Sequence, residues 1–157
     1  MNTPDQATTG IDTTVDSDNT TVVRAFYHPF RTGDTSTYEQ VLAPDWVDIP
    51  LAPGQQQGPA GMAAQIALFR QAMPDYNVTH EDLIAAGDRV AVRNTVSGTH
   101  QGAFMGHQPT GRRIEMRTMD VHQIRDGKIV ITWHLEDFAG LMAQLTASPE
   151  TPTQQAW

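Results

Sequence analysis

The sequence predicts an α+β fold, with helices gathered in the first half of the chain and antiparallel strands in the second. Apolar residues recur at helical spacing up to about Met73, and from Tyr76 onward the chain breaks into four segments of strand-like alternation. The punctuation agrees: "GD", a long loop around "FMGHQPTG" and "RDG" separate those segments, as turns between neighbouring strands do.

Residues 1–18 are rich in Thr, Asp, Asn and Gln without period, and are expected to form a disordered arm before a domain over 19–146. "DNTTVVRAFYHPF" reads as the first helix, capped by Asp18 or Thr20, with Val22, Val23, Phe26, Tyr27 and Phe30 on one stripe and Pro29 near its end. "STYEQVLA" follows as a short helix facing Tyr38, Val41 and Leu42 inward. "DWVDIP" is a short strand stopped by Pro50, and "LAPGQQQG" a flexible loop. A third helix runs from Pro59 to about Met73, burying Met62, Ile66, Phe69, Ala72 and Met73. "YNVTHEDLIAAG", "DRVAVRNTVSGTH", "RRIEMRTMDVHQI" and "KIVITWHLE" are the strands. "DFAGLMAQL" closes the domain as a helix, and residues 147–157 form a loose tail anchored only by Trp157. One strongly curved sheet wrapped around three helices leaves a pocket between the layers.

The 157 residues suit a single core. Ten Lys and Arg against 18 Asp and Glu give a net charge of −8, which argues against nucleic acid or anionic membrane as partner. The absence of Cys removes disulfides, thiolate metal sites and cysteine nucleophiles. No apolar run reaches a membrane span, and the first residues lack a signal peptide's basic end and apolar stretch, so a cytoplasmic protein is expected. No ligand pair of the His-x-x-x-His kind, Gly-rich phosphate loop or nucleophilic Ser motif occurs, and neither metal nor cofactor is expected.

The hairpin "QIRDGKIV" decides which side chains become neighbours. A two-residue Asp-Gly loop pairs Arg125 with Lys128 and sets His134 opposite Met119, with His122 on the other face. A three-residue loop with Gly127 in a bulge pairs Ile124 with Lys128. Thr118 then faces His134, Asp120 faces Thr132, and His122 faces Val130. In that register His122, Asp120, Thr118, His134 and Glu136 share one face, while Met119, Val121, Ile131, Trp133 and Leu135 form an apolar opposite face. The clean separation favours the second register. Pattern alone leaves two outcomes open: the polar face meets water, or it lines the pocket while the apolar face packs on a second subunit.

"VVRAFYHPFRTGDTSTYEQVLAPDWVD", "DLIAAGDRVAVRNTVSGTHQGAFMGHQPTGRRIEM" and "HQIRDGKIVITWHLEDFAGLMAQL" together resemble the SnoaL-like polyketide cyclases, or ester cyclases, over roughly residues 20–146. The resemblance implies the cone-shaped α+β fold shared with nuclear transport factor 2 and ketosteroid isomerase. In that fold a curved antiparallel sheet and three helices surround a hydrophobic pocket, and homodimers or homotetramers form through the sheet. It also implies cofactor-free aldol cyclisation of a polyketide-like intermediate in secondary metabolite or antibiotic biosynthesis, by proton abstraction beside a carbonyl. With the shared Asp-Phe as anchor, the cyclases' acid/base aspartate falls on His134, and their histidine on the preceding strand falls on His122.

The candidate catalytic residues are therefore His134 as base, acid or proton shuttle, His122 as its partner and Asp120 as the group that orients or stabilises a histidine. Each has a structural alternative: a histidine held by a backbone carbonyl, or a solvated strand carboxylate. Trp46 is a candidate pocket wall, and Asp48, Thr118 and Glu136 are candidate substrate contacts. Phe104 and Met105, with His107, sit in a loop expected to cover the pocket mouth. Asp137 either joins the chemistry or caps the last helix. The expected activity is that of a cofactor-independent cyclase, isomerase or lyase on a hydrophobic carbonyl compound. The alternatives are a hydratase or epoxide-hydrolase-like enzyme, a non-catalytic binding module, or a plain assembly domain.

Overall fold

The computed structural model of the protein describes residues 13–148. Of the arm expected over residues 1–18, residues 1–12 lie outside the described residues, as does the tail from 149, Trp157 included, whereas residues 13–18 are not an arm but the first turns of a helix. Nine elements follow in order: helix α1 (Thr13–Thr32), α2 (Tyr38–Val41), strand β1 (Leu42–Ile49), α3 (Pro59–Ala72), β2 (Asn77–Ala86), β3 (Arg89–Thr99), β4 (Arg113–Arg125), β5 (Lys128–Glu136) and α4 (Phe138–Thr146). The strands form one curved, unclosed sheet in the order β1-β5-β4-β3-β2.

Helix α1 starts at Thr13, ahead of the expected cap at Asp18 or Thr20. Asp16 lies in its first turn, where a carboxylate suits the helix dipole. Asn19 is buried and its Nδ2 donates to the Gly87 carbonyl at 2.8 Å, tying the helix to the β2–β3 turn. The stripe of Val23, Phe26, Tyr27 and Phe30 is buried as the helical period requires. The second helix is only one turn long: Leu42 takes extended geometry and opens β1 instead of closing the helix. Along β1 the side chains alternate, with Trp46 and Asp48 buried and Val47 and Ile49 exposed.

β1 runs parallel to β5, pairing Val47 with Ile131, Asp48 with Thr132 and Ile49 with Trp133. The other pairings are antiparallel. A strand that precedes α3 and three further strands can add to the sheet edge only by this long-range return, which no local pattern announces.

The β4–β5 hairpin separates the polar and apolar faces as expected but by another device. Arg125 pairs with Lys128, so the loop is the two-residue one, and Asp126 and Gly127 both take positive φ (52° and 72°), as a type I′ turn demands. The register then slips between Gln123 and Ile124: Ile124 faces Ile129, and Gln123 faces Ile131, so Val130 is the extra residue of a bulge. Beyond it Thr118 faces Glu136, Asp120 faces His134 and His122 faces Thr132. The expected partners were each two residues off, while the expected faces are right, because the bulge restores the parity that the turn alone removes. The polar face turns inward. Met119 and Leu135 on the other face are 65% and 74% exposed.

Between the concave face and α1, α2 and α3 lies the core, which includes Phe26, Trp46, Ile66, Val90, Val92 and Ile129. Asp137 caps α4, its Oδ1 accepting from the Gly140 amide at 2.9 Å and its Oδ2 from Arg117 at 3.0 Å. A Cβ at Gly140 would collide with that carboxylate.

Candidate active site

The cavity under the concave face has a volume of about 190 Å³, above the ~150 Å³ that admits benzene to an engineered apolar core. Its walls are mainly apolar and aromatic, from Phe30, Met62, Phe69, Tyr76, Phe104 and Leu141 among others. Its polar end is built by Asp48, Asn94, Thr118, Asp120, Thr132, His134 and Glu136, and among the described residues no Lys or Arg is in the lining.

His134 sits between two carboxylates. Its Nδ1 is 2.5 Å from Glu136 Oε1, two residues along the same strand face. Its Nε2 is 3.2 Å from Asp48 Oδ1, brought in by the parallel pairing of β1. That second contact is too poorly aligned for a hydrogen bond, so Asp48 Oδ1 and His134 Nε2 are both buried polar atoms without an aligned partner. Burial works against the imidazolium, yet the carboxylates of Asp48 and Glu136 outweigh it and push the His134 pKa up to about 10. The ring is a cation at neutral pH.

Asp48 itself is clamped. Gln55 Nε2 donates to its Oδ2 at 2.8 Å, and the Gln57 amide pairs with its backbone N–H and carbonyl at 2.9 and 3.0 Å. Gln55 Oε1 also takes the Ala52 N–H at 3.0 Å. The segment expected as a flexible loop is therefore folded over β1 by its own glutamines.

Asp120 is buried at the same end, and its Oδ2 is met by Tyr27 Oη at 2.5 Å, Asn94 Nδ2 at 2.8 Å and Thr118 Oγ1 at 3.2 Å. Burial is the main reason its pKa rises to about 6, with Tyr27's hydrogen bond pulling the other way. Tyr27 Oη also lies 2.9 Å from His122 Nε2, whose Nδ1 lies 2.9 Å from Thr132 Oγ1. Trp46 Nε1 donates to that same Thr132 oxygen at 3.0 Å. Burial lowers the His122 pKa to about 3, so its ring is neutral.

The structure thus brings Asp48, Thr118, Asp120, His134, Glu136 and Phe104 to one cavity. It does not place His122 or Trp46 there: both are fully buried behind the lining, joined through Thr132, so neither reaches a ligand directly. His122 makes no hydrogen bond to His134: His134 faces Asp120 and His122 faces Thr132, which leaves the two imidazoles diagonal across the strands. Met105 is also off the wall. It takes φ 48° at the tip of a tight turn in which Phe104 and His107 pair by backbone, and it is half exposed. Phe104 faces inward against Phe69. Of Arg93 and Asn94, Asn94 points in, while Arg93 pairs with Asp82 outside.

Sequence reading missed Tyr27 and Gln55, and it placed Arg93 and Asn94 on opposite faces without choosing which looks inward. Tyr27 sat on the correct helix stripe but read as apolar bulk, and its hydroxyl was the available signal. Gln55 carried no signal.

A family model described as SnoaL-like polyketide cyclase matches residues 20–145. Among solved structures the chain is similar to TsrD from Streptomyces laurentii (28% identity, TM-score 0.76, covering 84% of this chain and 97% of that one). It is likewise similar to IdmH, a proposed polyketide cyclase from Streptomyces antibioticus (31%, 0.72, 82% and 99%). A third is AclR, a proposed hydroxylase from Streptomyces galilaeus (28%, 0.73, 88% and 87%). No curated protein matches the chain. The shared architecture with these neighbours is the nuclear transport factor 2-like one.

Proposed function

The chain belongs to the SnoaL-like polyketide cyclase family, and from that premise we propose that it is a cofactor-independent cyclase or isomerase of a hydrophobic, carbonyl-containing small molecule such as a polyketide intermediate. The observation that carries this reading is the pairing of Asp120 with His134 across adjacent strands at the polar end of an apolar cavity. Their environments pull their protonation apart: the carboxyl is poised near pH 6, and the imidazole stays charged to about pH 10. Such divergence separates base from acid.

In this mechanism Asp120 removes a proton from the carbon beside a carbonyl. His134, whose Nε2 lies beside Asp48 without an aligned partner, donates to the oxygen that gains charge as the new C–C bond forms. Asp120 ends protonated and His134 neutral, and exchange with solvent at the mouth resets both. Glu136 and Asp48 hold the His134 ring and keep it charged. The apolar walls exclude water, which strengthens each charge interaction inside. A carboxylate–histidine pair that activates water requires a neutral imidazole, so hydration or epoxide opening fits this site less well.

The test uses an aryl β-keto ester as probe and follows solvent deuterium exchange at its acidic carbon by NMR. Wild-type protein is expected to accelerate exchange, and Asp120→Asn to remove the acceleration. Tight binding of the probe with no exchange would favour a binding module instead.

We also propose that a second copy of the chain covers the outer sheet face, as the family resemblance implies. Ile49, Ile84, Met119 and Leu135 are among the exposed apolar residues there. Met119→Lys with Leu135→Lys should yield monomers in sedimentation, and a monomeric wild type would refute the assignment.

A further inference from the structure

We propose that Tyr27 and Asn94, with His122 acting through Tyr27, are positioning residues that occupy one oxygen of Asp120, Oδ2, and so reserve the other, Oδ1, for the substrate proton. The proposal rests on reading Asp120 as the base.

Two hydrogen-bond chains converge on Oδ2, and each has a fixed direction. The first begins at Trp46, whose indole N–H can only donate. It gives its hydrogen to Thr132 Oγ1, and the threonine's own hydrogen then points to His122 Nδ1. With Nδ1 accepting and the ring neutral, the imidazole hydrogen sits on Nε2 and points to Tyr27 Oη. Tyr27 passes its hydrogen to Asp120 Oδ2. The second chain begins at His80, whose Nδ1 lies 2.7 Å from Asn94 Oδ1. That contact turns the Asn94 amide nitrogen toward Thr118 Oγ1 at 3.1 Å and Asp120 Oδ2 at 2.8 Å. Thr118, having accepted from Asn94, donates its hydrogen to Oδ2 as well.

Three donors thus meet on one carboxylate oxygen, while Oδ1 has no hydrogen bond among the described residues. A proton placed on Oδ2 would have to displace one of the donors or reverse the first chain and flip His122 to its Nδ1–H form. A proton placed on Oδ1 leaves every bond in place. The ionisable groups facing Asp120 are Tyr27 from α1, His134 and Glu136 from β5, and Tyr76 before β2. His122 on β4 and His80 on β2 reach it only through Tyr27 and Asn94. His122 therefore acts through Tyr27 and carries no proton to substrate.

Two measurements test this without any substrate. In protein labelled with ¹⁵N-histidine, His122 is expected as the neutral Nε2–H tautomer, unchanged from pH 5 to 9. In protein labelled at the aspartate carboxyl carbons, Tyr27→Phe is expected to raise the Asp120 midpoint by about one unit, the loss of one hydrogen bond to a charged group. His122→Gln, which keeps a donor, should stay closer to wild type than His122→Phe. An Nδ1–H tautomer or an imidazolium at pH 7 overturns the chain, as does an Asp120 titration that Tyr27→Phe leaves unmoved. The tautomer reading needs no substitution, so a variant that fails to fold does not block it. Asp120→Asn retaining proton abstraction would refute the base assignment with the network intact, which keeps the two failures distinct.

Discussion

Replacing His134 by Gln removes the only cation, among the described residues, from a cavity end that holds Asp48 and Glu136. Glutamine keeps the size and a donor but not the charge, so the two carboxylates lose the ion that joins them. At contacts of 2.5 and 3.2 Å each pair has a gross attraction of ~5–7 kcal/mol at an effective dielectric of 20, most of it cancelled by desolvation. A rise in pKa from 6.5 to about 10 sets a ceiling of ~5 kcal/mol by linkage. Because the ring is 15% exposed and the cavity opens to solvent, screening reduces this to ~2–3 kcal/mol, equivalent to ~6–10 °C in Tm for a chain of this size. The folded-state pKa lies above the unfolded one, so the stabilisation is complete below pH 6.5 and is lost as pH rises through about 10. Urea unfolding followed by far-UV circular dichroism at pH 6, 8 and 10 should show a gap between wild type and His134→Gln that is full at pH 6, smaller at pH 8 and nearly closed at pH 10. A gap under ~0.5 kcal/mol at pH 6, within the range of an ordinary surface change, or one equal at pH 6 and 10, would mean that His134 is not held as a cation.

Proton abstraction from the β-keto ester should follow a bell-shaped pH profile, rising through about 6 as Asp120 ionises and falling through about 10 as His134 loses its proton. A single limb near 6.5 would point to a neutral histidine base. Gly102→Ala should cost ~1–3 kcal/mol by overpacking, read as a lowered Tm, because its Cβ would lie 2.5 Å from the Gln71 carbonyl. The turn carrying Phe104 follows directly. Asp137→Ala should cost ~1 kcal/mol for the lost cap and speed amide exchange in α4, while leaving exchange of the probe's acidic proton unchanged. A large loss of that activity would return Asp137 to the catalytic set.

The order of elements and the separation of faces were legible because side chains alternate with period two. His122, Asp120, Thr118, His134 and Glu136 share a face in any register of even parity, so the set survived an error in the partners. The partners themselves were not legible. The bulge at Val130 has no composition signal, and the Asp126-Gly127 turn taken alone argues for the wrong parity. The helix-cap role of Asp137 was open beside a catalytic one, and the structure seats it as a cap.

The sequence by itself determined the fold class, the family and the strand face on which the ionisable groups gather, since periodicity and local motifs are properties of neighbouring residues. Only the tertiary structure decided what those groups are. His134 is held as a cation because β1 returns in parallel beside β5 and delivers Asp48, which Gln55 and Gln57 clamp, next to the strand neighbour Glu136. Asp120 is poised near pH 6 because burial opposes its charge while Tyr27, Asn94 and Thr118 hold it. His122, which sequence pattern placed beside His134, is instead neutral and walled off behind Tyr27 and Thr132. Protonation depends on charge and burial in three dimensions, and the residues that set it here come from strands and helices far apart along the chain.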